Sequence, residues 1–242
     1  MSHGIRLHVW GEYACWTRPE MKAERVSYDV MTPSGARGIL EAIYWKPQMR
    51  WVIDRIRVLA PIRFANIRRN EVDLPKISVT AKAMQGSEPG PSIYAEENRQ
   101  QRATLLLTNV VYGIEAHIEV LDAQEKNGAI LSEPVAKHLD QFNRRVRDGA
   151  CFHRPYLGCR EFPAYFAPVD AAGFPPAPEE LNGERPLGFM LDDMEHAGHP
   201  GITPRPHRCD DRCQPRFFRA RMVDGVVDVA ACRQETREVF GS

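Results

Sequence analysis

Apolar and polar residues alternate in several short stretches of this chain, and a period of two is typical of β-strands. On this pattern we predict strands over residues 5–10, 51–59, 62–67, 102–110, 111–121, 155–167, 188–193 and 216–223. Apolar residues at helical spacing predict two amphipathic helices, over residues 32–45 and 134–146. Within the second of these strands, alternation puts Asp54 and Ile56 on the face opposite Trp51 and Ile53.

The first helix carries clear signals at both ends. The Thr32 hydroxyl can accept a hydrogen bond from a free backbone N–H, and Pro33 fits the first helical position, where its missing N–H is not needed. The helix is expected to end near Trp45, because Pro47 disfavours helical geometry in the residue before it. Tyr44 therefore lies in the last turn, where a phenol either fills the core or faces a ligand. The outer side of the second helix is predicted to carry Lys137, His138, Arg144, Arg145 and Arg147.

The order strand, helix, strand, strand is the first half of a ferredoxin-like, RRM-like unit. We therefore predict an α+β fold whose ferredoxin-like core spans residues 1–168, with an insertion rich in Pro, Gly and Ser at about 74–98. Residues 169–242 are predicted to form a small antiparallel β extension. Asp224 and Gly225 separate two apolar runs there and predict a hairpin turn.

Composition bounds the class of protein but not its activity. The 242 residues are 43% hydrophobic and 26% charged, which is ordinary for a globular chain. No apolar run approaches the roughly 20 residues of a membrane span, and the N-terminus lacks a secretory signal, so we expect a cytoplasmic protein with reduced cysteines. The net charge is zero, but residues 1–110 hold 16 Lys and Arg against 11 Asp and Glu. This excess of positive charge in the first half favours a phosphate-bearing partner.

Three segments of the sequence carry a family resemblance: TRPEMKAERVSYDVMTPSGARGILEAIYWKP, RWVIDRIRVLAPIRFANIRRNEV and YLGCREFPAYF. They resemble the subtype I-C member of the CRISPR-associated RAMP proteins. The resemblance is nearly continuous over residues 5–70 and 109–166, and weak over 74–98 and after 169. It implies an endoribonuclease that cuts CRISPR repeat stem-loop RNA, needs no cofactor, and stays on the 5′ tag of the guide RNA beside the backbone and large subunits of Cascade.

RNA can be cut without a metal, because its own 2′-hydroxyl can attack the adjacent phosphate. Such an enzyme needs a proton acceptor, a proton donor and a cation near the phosphate. His117 alternates out of phase with the apolar residues of its strand and should point away from the core. The resemblance implies that Tyr44 and His117 form the catalytic group. The family's lysine beside the histidine is missing here, so Lys46, Lys22 or Arg102 is left as the candidate for phosphate stabilisation, and we name Lys46 first.

A basic surface is predicted to bind the RNA. Arginine and lysine neutralise phosphates at any base sequence, while aromatic rings stack on unpaired bases. Basic residues before the first helix and around the third strand meet this description, with Phe64 among them: Arg18, Lys22, Arg25, Arg63, Arg68, Arg69 and Arg102.

Three alternatives stay open at this point. The first is a non-catalytic subunit that caps the guide RNA within Cascade. The second is a metal-dependent DNA nuclease, which the acidic pairs at 192–193 and 210–211 could support. The third concerns a zinc site rather than the activity. Five residues of the right chemistry lie close together at His196, His199, His207, Cys209 and Cys213, although their spacing fits no established zinc pattern.

Overall fold

The computed structural model describes residues 4–21, 23–72, 81–87, 94, 96, 98–121, 133–196 and 213–240, and its strands form one large sheet. The strands are β1 (Gly4–Ala14), β2 (Arg25–Val26), β3 (Met49–Val58), β4 (Phe64–Val72), β5 (Arg99–Val120), β6 (Tyr165–Pro168), β7 (Glu184–His196), β8 (Cys213–Val223) and β9 (Val226–Asp228). The α-helices are α1 (Pro33–Ile43), α2 (Ala81–Met84), α3 (Pro134–Arg147) and α4 (Val229–Phe240). All strand pairs but β2–β5 are antiparallel, which confirms a mixed α and β fold built on a large antiparallel sheet.

The long strand β5 organises the sheet. Two separate strands were predicted over this stretch, but the chain continues as one strand of 22 residues. Its first half pairs with β4 and its second half with β3, and the change of partner falls near Asn109, whose positive φ of 49° is one that asparagine tolerates better than most residues. On the other side, β1 pairs along residues 107–117 of β5. The sheet then runs in the order β6-β1-β5-β3-β9-β8-β7.

The helices α1 and α3 cover one face of this sheet, α1 over β3 and α3 over β5 and β6. The predicted start of α1 is confirmed, since the Thr32 hydroxyl accepts a hydrogen bond from the Gly35 amide at 3.1 Å and Pro33 occupies the first turn. Its apolar stripe is buried, and so are the alternate residues of β1, β3 and β5 that face it. The opposite face of these strands carries mostly polar side chains.

A β-bulge in β3 corrects the predicted alternation. The pairing register between β3 and β5 shifts between Ile53 and Arg55, so Asp54 is an extra residue in the strand. After the bulge, Ile56 and Val58 lie on the same buried face as Ile53, and not on the opposite one. A bulge adds one residue to one strand only, which changes the phase of every side chain after it.

The C-terminal part adds β7, β8 and β9 to the same sheet through the pairing of β9 with β3. The predicted hairpin turn at Asp224 and Gly225 is confirmed, and both residues have positive φ. Helix α4 was not predicted, although Asp228 accepts a hydrogen bond from the Ala231 amide and so marks its start. The predicted strand over 155–167 is confirmed only for its end, where β6 lies. None of the helices described is long and apolar enough to cross a bilayer.

Candidate functional site

His117 lies on the polar face of the sheet, as its alternation predicts. Its neighbours Ala116 and Ile118 are buried beneath it, while the His117 side chain is 39% exposed. The ring nitrogen Nδ1 lies 2.9 and 3.0 Å from the two carboxylate oxygens of Asp54, and one of those contacts is a hydrogen bond donated by the ring. This contact leaves Nε2 as the nitrogen that can take or give a proton at the surface.

Asp54 was placed on the correct side of the strand by the sequence pattern but was not recognised as a partner of His117. It reaches the imidazole because it is the extra residue of the β3 bulge, and bulges commonly re-aim a side chain. The sequence contains no local signal for this pairing, because Asp54 and His117 are 63 residues apart.

Arginines lie on the strand positions next to this pair, but acidic residues accompany them. Glu115 forms ion pairs with Arg57 and, at 3.8 Å, with Arg55. Arg55 also donates to Asp228 at 2.9 Å. On the other side of His117, Arg50 pairs with Glu119. Arg55 and Arg50 lie opposite residues of β5 that are two positions from His117, and Arg6 of β1 is equally near on the other side. None of these three arginines was predicted from the sequence as a site residue.

Tyr44 is buried on the other side of the sheet, beneath the helices. It caps α1, and its amide donates to the Leu40 carbonyl at 2.9 Å. The Tyr44 side chain is only 3% exposed, and its hydroxyl lies 2.8 Å from Nδ1 of His138 in α3. The Arg145 guanidinium lies 5.3 Å from the centre of the phenol ring. Burial raises the pKa of Tyr44, so the phenol stays protonated at neutral pH.

His138 corrects the prediction that it lies on the outer side of the second helix. It is 3% exposed and lies in line with the buried residues Phe142 and Val146. The signal was present in the sequence, since these three residues are four positions apart and share one helix face. Burial lowers the pKa of His138, and the positive charges of Lys137 and Lys46 lower it further. The imidazole is therefore neutral and acts as a partner for the buried phenol.

The structure does not bring the predicted catalytic residues together. Trp51 pairs with Ile118 in the sheet, and its indole N–H donates to the Tyr44 carbonyl at 2.9 Å, so Tyr44 lies on the apolar face. His117 points from the opposite face. Lys46 is exposed and acts electrostatically on His138, which also places it on the helix side. The polar face thus holds His117 and Asp54, and the helix face holds Tyr44, His138 and Lys46.

Several of the basic residues predicted to bind RNA are paired with acidic groups. Glu71 lies 3.2 Å from Arg25, 3.5 Å from Arg69 and 3.8 Å from Arg102. Glu161 contacts the first two of these arginines as well. Arg18 pairs with Asp29 at 3.0 Å and lies over the ring of Tyr28. These side chains hold β2, β4 and the segment around Glu161 together, so much of their charge is compensated within the protein.

Arg63 and Arg68 differ from that group. Both are exposed, and neither forms an ion pair within the described ranges. Phe64, Asn66 and Arg68 are all exposed at alternate positions of β4 and share one face of the strand. Lys22 and most of the insertion predicted at about 74–98 lie outside the described residues. The hairpin of β4 with the first half of β5 therefore presents the uncompensated part of the predicted basic surface.

Cys159 and Cys15 form a thiol pair beside the arginine cluster. Arg25 lies 3.6 Å from the Cys159 sulfur, which itself approaches the Cys15 carbonyl at 3.6 Å. A hydrogen bond from the Cys15 thiol lowers the pKa of Cys159, and Arg25 adds to the effect. The same hydrogen bond and burial raise the pKa of Cys15. Gly158 allows this close approach, because a Cβ there would lie 2.0 Å from the Cys15 carbonyl oxygen.

The two metal hypotheses receive no support from the described part of the chain. No group of three or more His, Cys, Asp or Glu side chains there could hold a metal ion. His199, His207 and Cys209 of the possible zinc site lie outside the described residues, as do Asp210 and Asp211. Asp192 is engaged by Arg233, which donates to both of its oxygens at 3.0 Å, and Asp193 pairs with Arg37 at 2.7 Å.

Comparison with known proteins places the chain among CRISPR-associated proteins. The Cas5d family model, described as a CRISPR-associated protein of the Cas5 type, matches residues 4–230. A protein of Mannheimia succiniciproducens named CRISPR pre-crRNA endoribonuclease Cas5d is 46% identical over 233 residues, covering 95% of this chain and 96% of that protein. A protein of the same name from Thermus thermophilus is 42% identical over 233 residues, covering 94% and 91%. The crystal structure of a CRISPR-associated protein superposes on this chain with a TM-score of 0.61 at 21% sequence identity. The superposition covers 96% of this chain and 93% of the other protein, so the two have a similar fold.

Proposed function

The chain belongs to the Cas5d family of CRISPR-associated proteins, and on that premise we propose that it cleaves CRISPR repeat stem-loop precursor RNA and stays bound to the 5′ tag of the product. Two relatives above 40% identity, both named pre-crRNA endoribonucleases, support this activity, since each match spans nearly the whole chain. We further propose that the protein works in the cytoplasm as a subunit of Cascade, beside its backbone and large subunits.

The cleavage is proposed to proceed by attack of the 2′-hydroxyl on the adjacent phosphate, without a metal ion. The His117–Asp54 pair carries this proposal, because it presents an oriented imidazole on the polar face. Nε2 of His117 takes the proton of the 2′-hydroxyl, and the bond from the 2′-oxygen to phosphorus forms as the bond to the 5′-oxygen breaks. The leaving 5′-oxygen takes a proton from water, and the products are a 2′,3′-cyclic phosphate and a 5′-hydroxyl.

The cation that stabilises the phosphate is proposed to come from the arginines beside His117. Arg55 is the first candidate, because it is half-exposed and its longer contact, to Glu115 at 3.8 Å, is one that a phosphate could replace. Lys46 and Tyr44 lie on the helix side of the sheet, opposite the face that presents His117. We therefore propose that Tyr44 is a positioning residue that holds α1 against α3 through His138.

We propose that residues 1–168 are a ferredoxin-like domain and residues 169–242 an extension. The strand order β6-β1-β5-β3, with antiparallel neighbours and two helices on one face, supports the ferredoxin-like plan. The pairing of β9 with β3 attaches the extension to the edge of that unit.

The test uses the purified protein and a labelled repeat stem-loop RNA in excess EDTA, beside a copy with a 2′-deoxy nucleotide at the scissile position. A single cut in the ribose copy alone is expected. Binding without cleavage in either copy, also after magnesium is added, would reject the endoribonuclease. That outcome would support a non-catalytic subunit that caps the guide RNA, which the separation of Tyr44 from His117 favours as the second candidate.

A further inference from the structure

A group of aromatic side chains lies on the polar face of the sheet, at the end far from His117. Trp10 of β1 and Tyr165 of β6 are directly paired in the sheet, and their rings are stacked with centres 6.0 Å apart. The His8 ring lies 5.2 Å from Trp10 on the same face. The Arg154 guanidinium lies over the Tyr165 ring, 5.7 Å from its centre. We call His8, Trp10, Tyr165 and Arg154 the aromatic platform.

The platform is open to solvent at Tyr165 and Arg154, whereas His8 and Trp10 are half-buried. Tyr165 is 50% exposed, although a tyrosine ring gains free energy when it is buried. The alternate residues of β1, such as Val9, are fully buried in the core, so the core does not require the rings on this face. Stacked rings on an exposed sheet face are the means by which RRM-type sheets bind unpaired bases.

The charges at the platform fit a nucleic acid. Arg154 is exposed, and so is Arg6, which lies on β1 between the platform and the position opposite His117; in the ranges that the structure describes neither forms an ion pair. By contrast, Glu71 and Glu161 compensate Arg25 and Arg69, two of the arginines that were predicted to bind RNA. The uncompensated Arg154 guanidinium beside the exposed Tyr165 ring is complementary to a phosphate next to an unpaired base.

The platform is separate from the proposed catalytic pair. His117 is opposite Gly4 in the sheet and Trp10 is opposite Val111, so the two positions differ by six residues along β1, or about 20 Å. Phe174 covers the face between them, above Gly113, where a Cβ would come within 2.6 Å of its ring. A few nucleotides of extended single strand could span this length.

We propose that the aromatic platform binds unpaired bases of the single-stranded segment next to the repeat stem-loop, by stacking on Tyr165 and Trp10 while Arg154 contacts the phosphates. This inference rests on the proposed function, because that function supplies RNA as the ligand. It adds an RNA-binding site, formed by β1, β6 and the loop before β6, that lies apart from the basic residues predicted from the sequence.

The test measures affinity of the full chain for stem-loop RNA with and without its single-stranded flank. The RNA carries a 2′-deoxy nucleotide at the scissile position, so cleavage does not interfere, and 2-aminopurine in the flank reports stacking by loss of fluorescence. Tyr165→Ala is expected to weaken binding of the flanked RNA about 5- to 150-fold, the effect of one lost stack, and to restore fluorescence. Binding of the RNA without the flank should not change.

Three further variants sharpen the result. Tyr165→Phe keeps the ring and should bind like the wild type. Phe189→Ala removes an aromatic side chain of similar exposure, 54%, from the C-terminal extension and should also have no effect. Trp10→Ala should repeat the Tyr165→Ala result. If Trp10→Ala does not fold, the half-exposed Tyr165 still decides the question.

The outcomes separate the two proposals. If the wild type binds no repeat RNA, the proposed function fails. If the wild type binds and quenches 2-aminopurine but Tyr165→Ala and Trp10→Ala do so equally well, the platform is not an RNA site and the proposed function stands. Normal RNA binding by these variants together with loss of co-purifying subunits would overturn the inference in favour of a protein partner.

Discussion

Replacement of His117 and Asp54, singly and together, tests whether they act as one unit. His117→Ala removes the proposed proton acceptor, and Asp54→Asn removes the charge that orients it while keeping the size of the side chain. Because Asp54 acts only through His117, its replacement should have no effect once His117 is gone. This expectation of non-additivity is more specific than the loss of activity alone.

The expected magnitudes follow from the exposure of the pair. General acid–base catalysis contributes about 10²–10⁴-fold, so His117→Ala should slow cleavage at least about 10²-fold. The side chains of His117 and Asp54 are 39% and 36% exposed, and water therefore competes for their contact. Exposed ion pairs contribute about 0.2–1 kcal/mol, which limits the effect of Asp54→Asn to about 5-fold. In a fully buried pair the carboxylate would matter far more.

Single-turnover cleavage of labelled repeat RNA in EDTA measures the rates, and binding of the 2′-deoxy RNA verifies that affinity is unchanged. Added imidazole should restore part of the activity of His117→Ala. Glu119→Gln is the matched control, because Glu119 is also exposed on β5 and is two residues from His117. An unchanged rate in His117→Ala would remove this residue from the mechanism. An equal effect of Asp54→Asn with and without His117 would refute the orienting role of Asp54.

Three further predictions concern the helix face and the basic surface. Tyr44→Phe leaves the buried Nδ1 of His138 without its partner and should destabilise the fold by about 1–3 kcal/mol in urea unfolding, while cleavage slows much less than in His117→Ala. The pKa of His138 is lowered from 6.5 in the folded protein, so the neutral imidazole contributes its full stabilisation above pH 6.5 and this stabilisation is lost as the pH falls below that value. His138→Gln should therefore reduce the decrease in the free energy of unfolding between pH 7.5 and 5.5. Arg68→Ala should reduce the salt dependence of RNA binding by about one unit of slope, whereas Arg69→Ala should chiefly lower the melting temperature, because Arg69 is held by Glu71 and Glu161.

The secondary-structure elements that were predicted correctly are those whose sequence signals lie close together in the chain. The cap at Thr32, the proline that follows it and the apolar spacing lie within a dozen residues, and α1 forms where they indicate. The turn at Asp224 and Gly225 is equally local. His117 was assigned to the polar face by alternation within its own strand, and this is confirmed.

The sequence could not predict the features that depend on distant partners. The bulge at Asp54 exists only in relation to the register of β5, so its effect on the phase of Ile56 is not visible in β3 alone. The separation of Tyr44 from His117 likewise requires knowledge of which sheet face each helix covers. The platform residues Trp10 and Tyr165 are 155 positions apart, and the pairing of β1 with β6 alone makes them neighbours.

The ion pairs in the structure show which positive charges of this chain, whose net charge is zero, remain available to bind RNA. A simple count of charges gives the first half an excess of arginine and lysine, yet Arg25, Arg69 and Arg102 share Glu71 and form part of the fold. Among the residues that the structure describes, Arg68 on β4 and Arg154 before β6 are exposed and have no acidic partner. Phosphate binding depends on the charges that face solvent without a partner, and not on the total. RNA affinity should therefore respond to replacement of these few exposed arginines far more than to the larger number of paired ones.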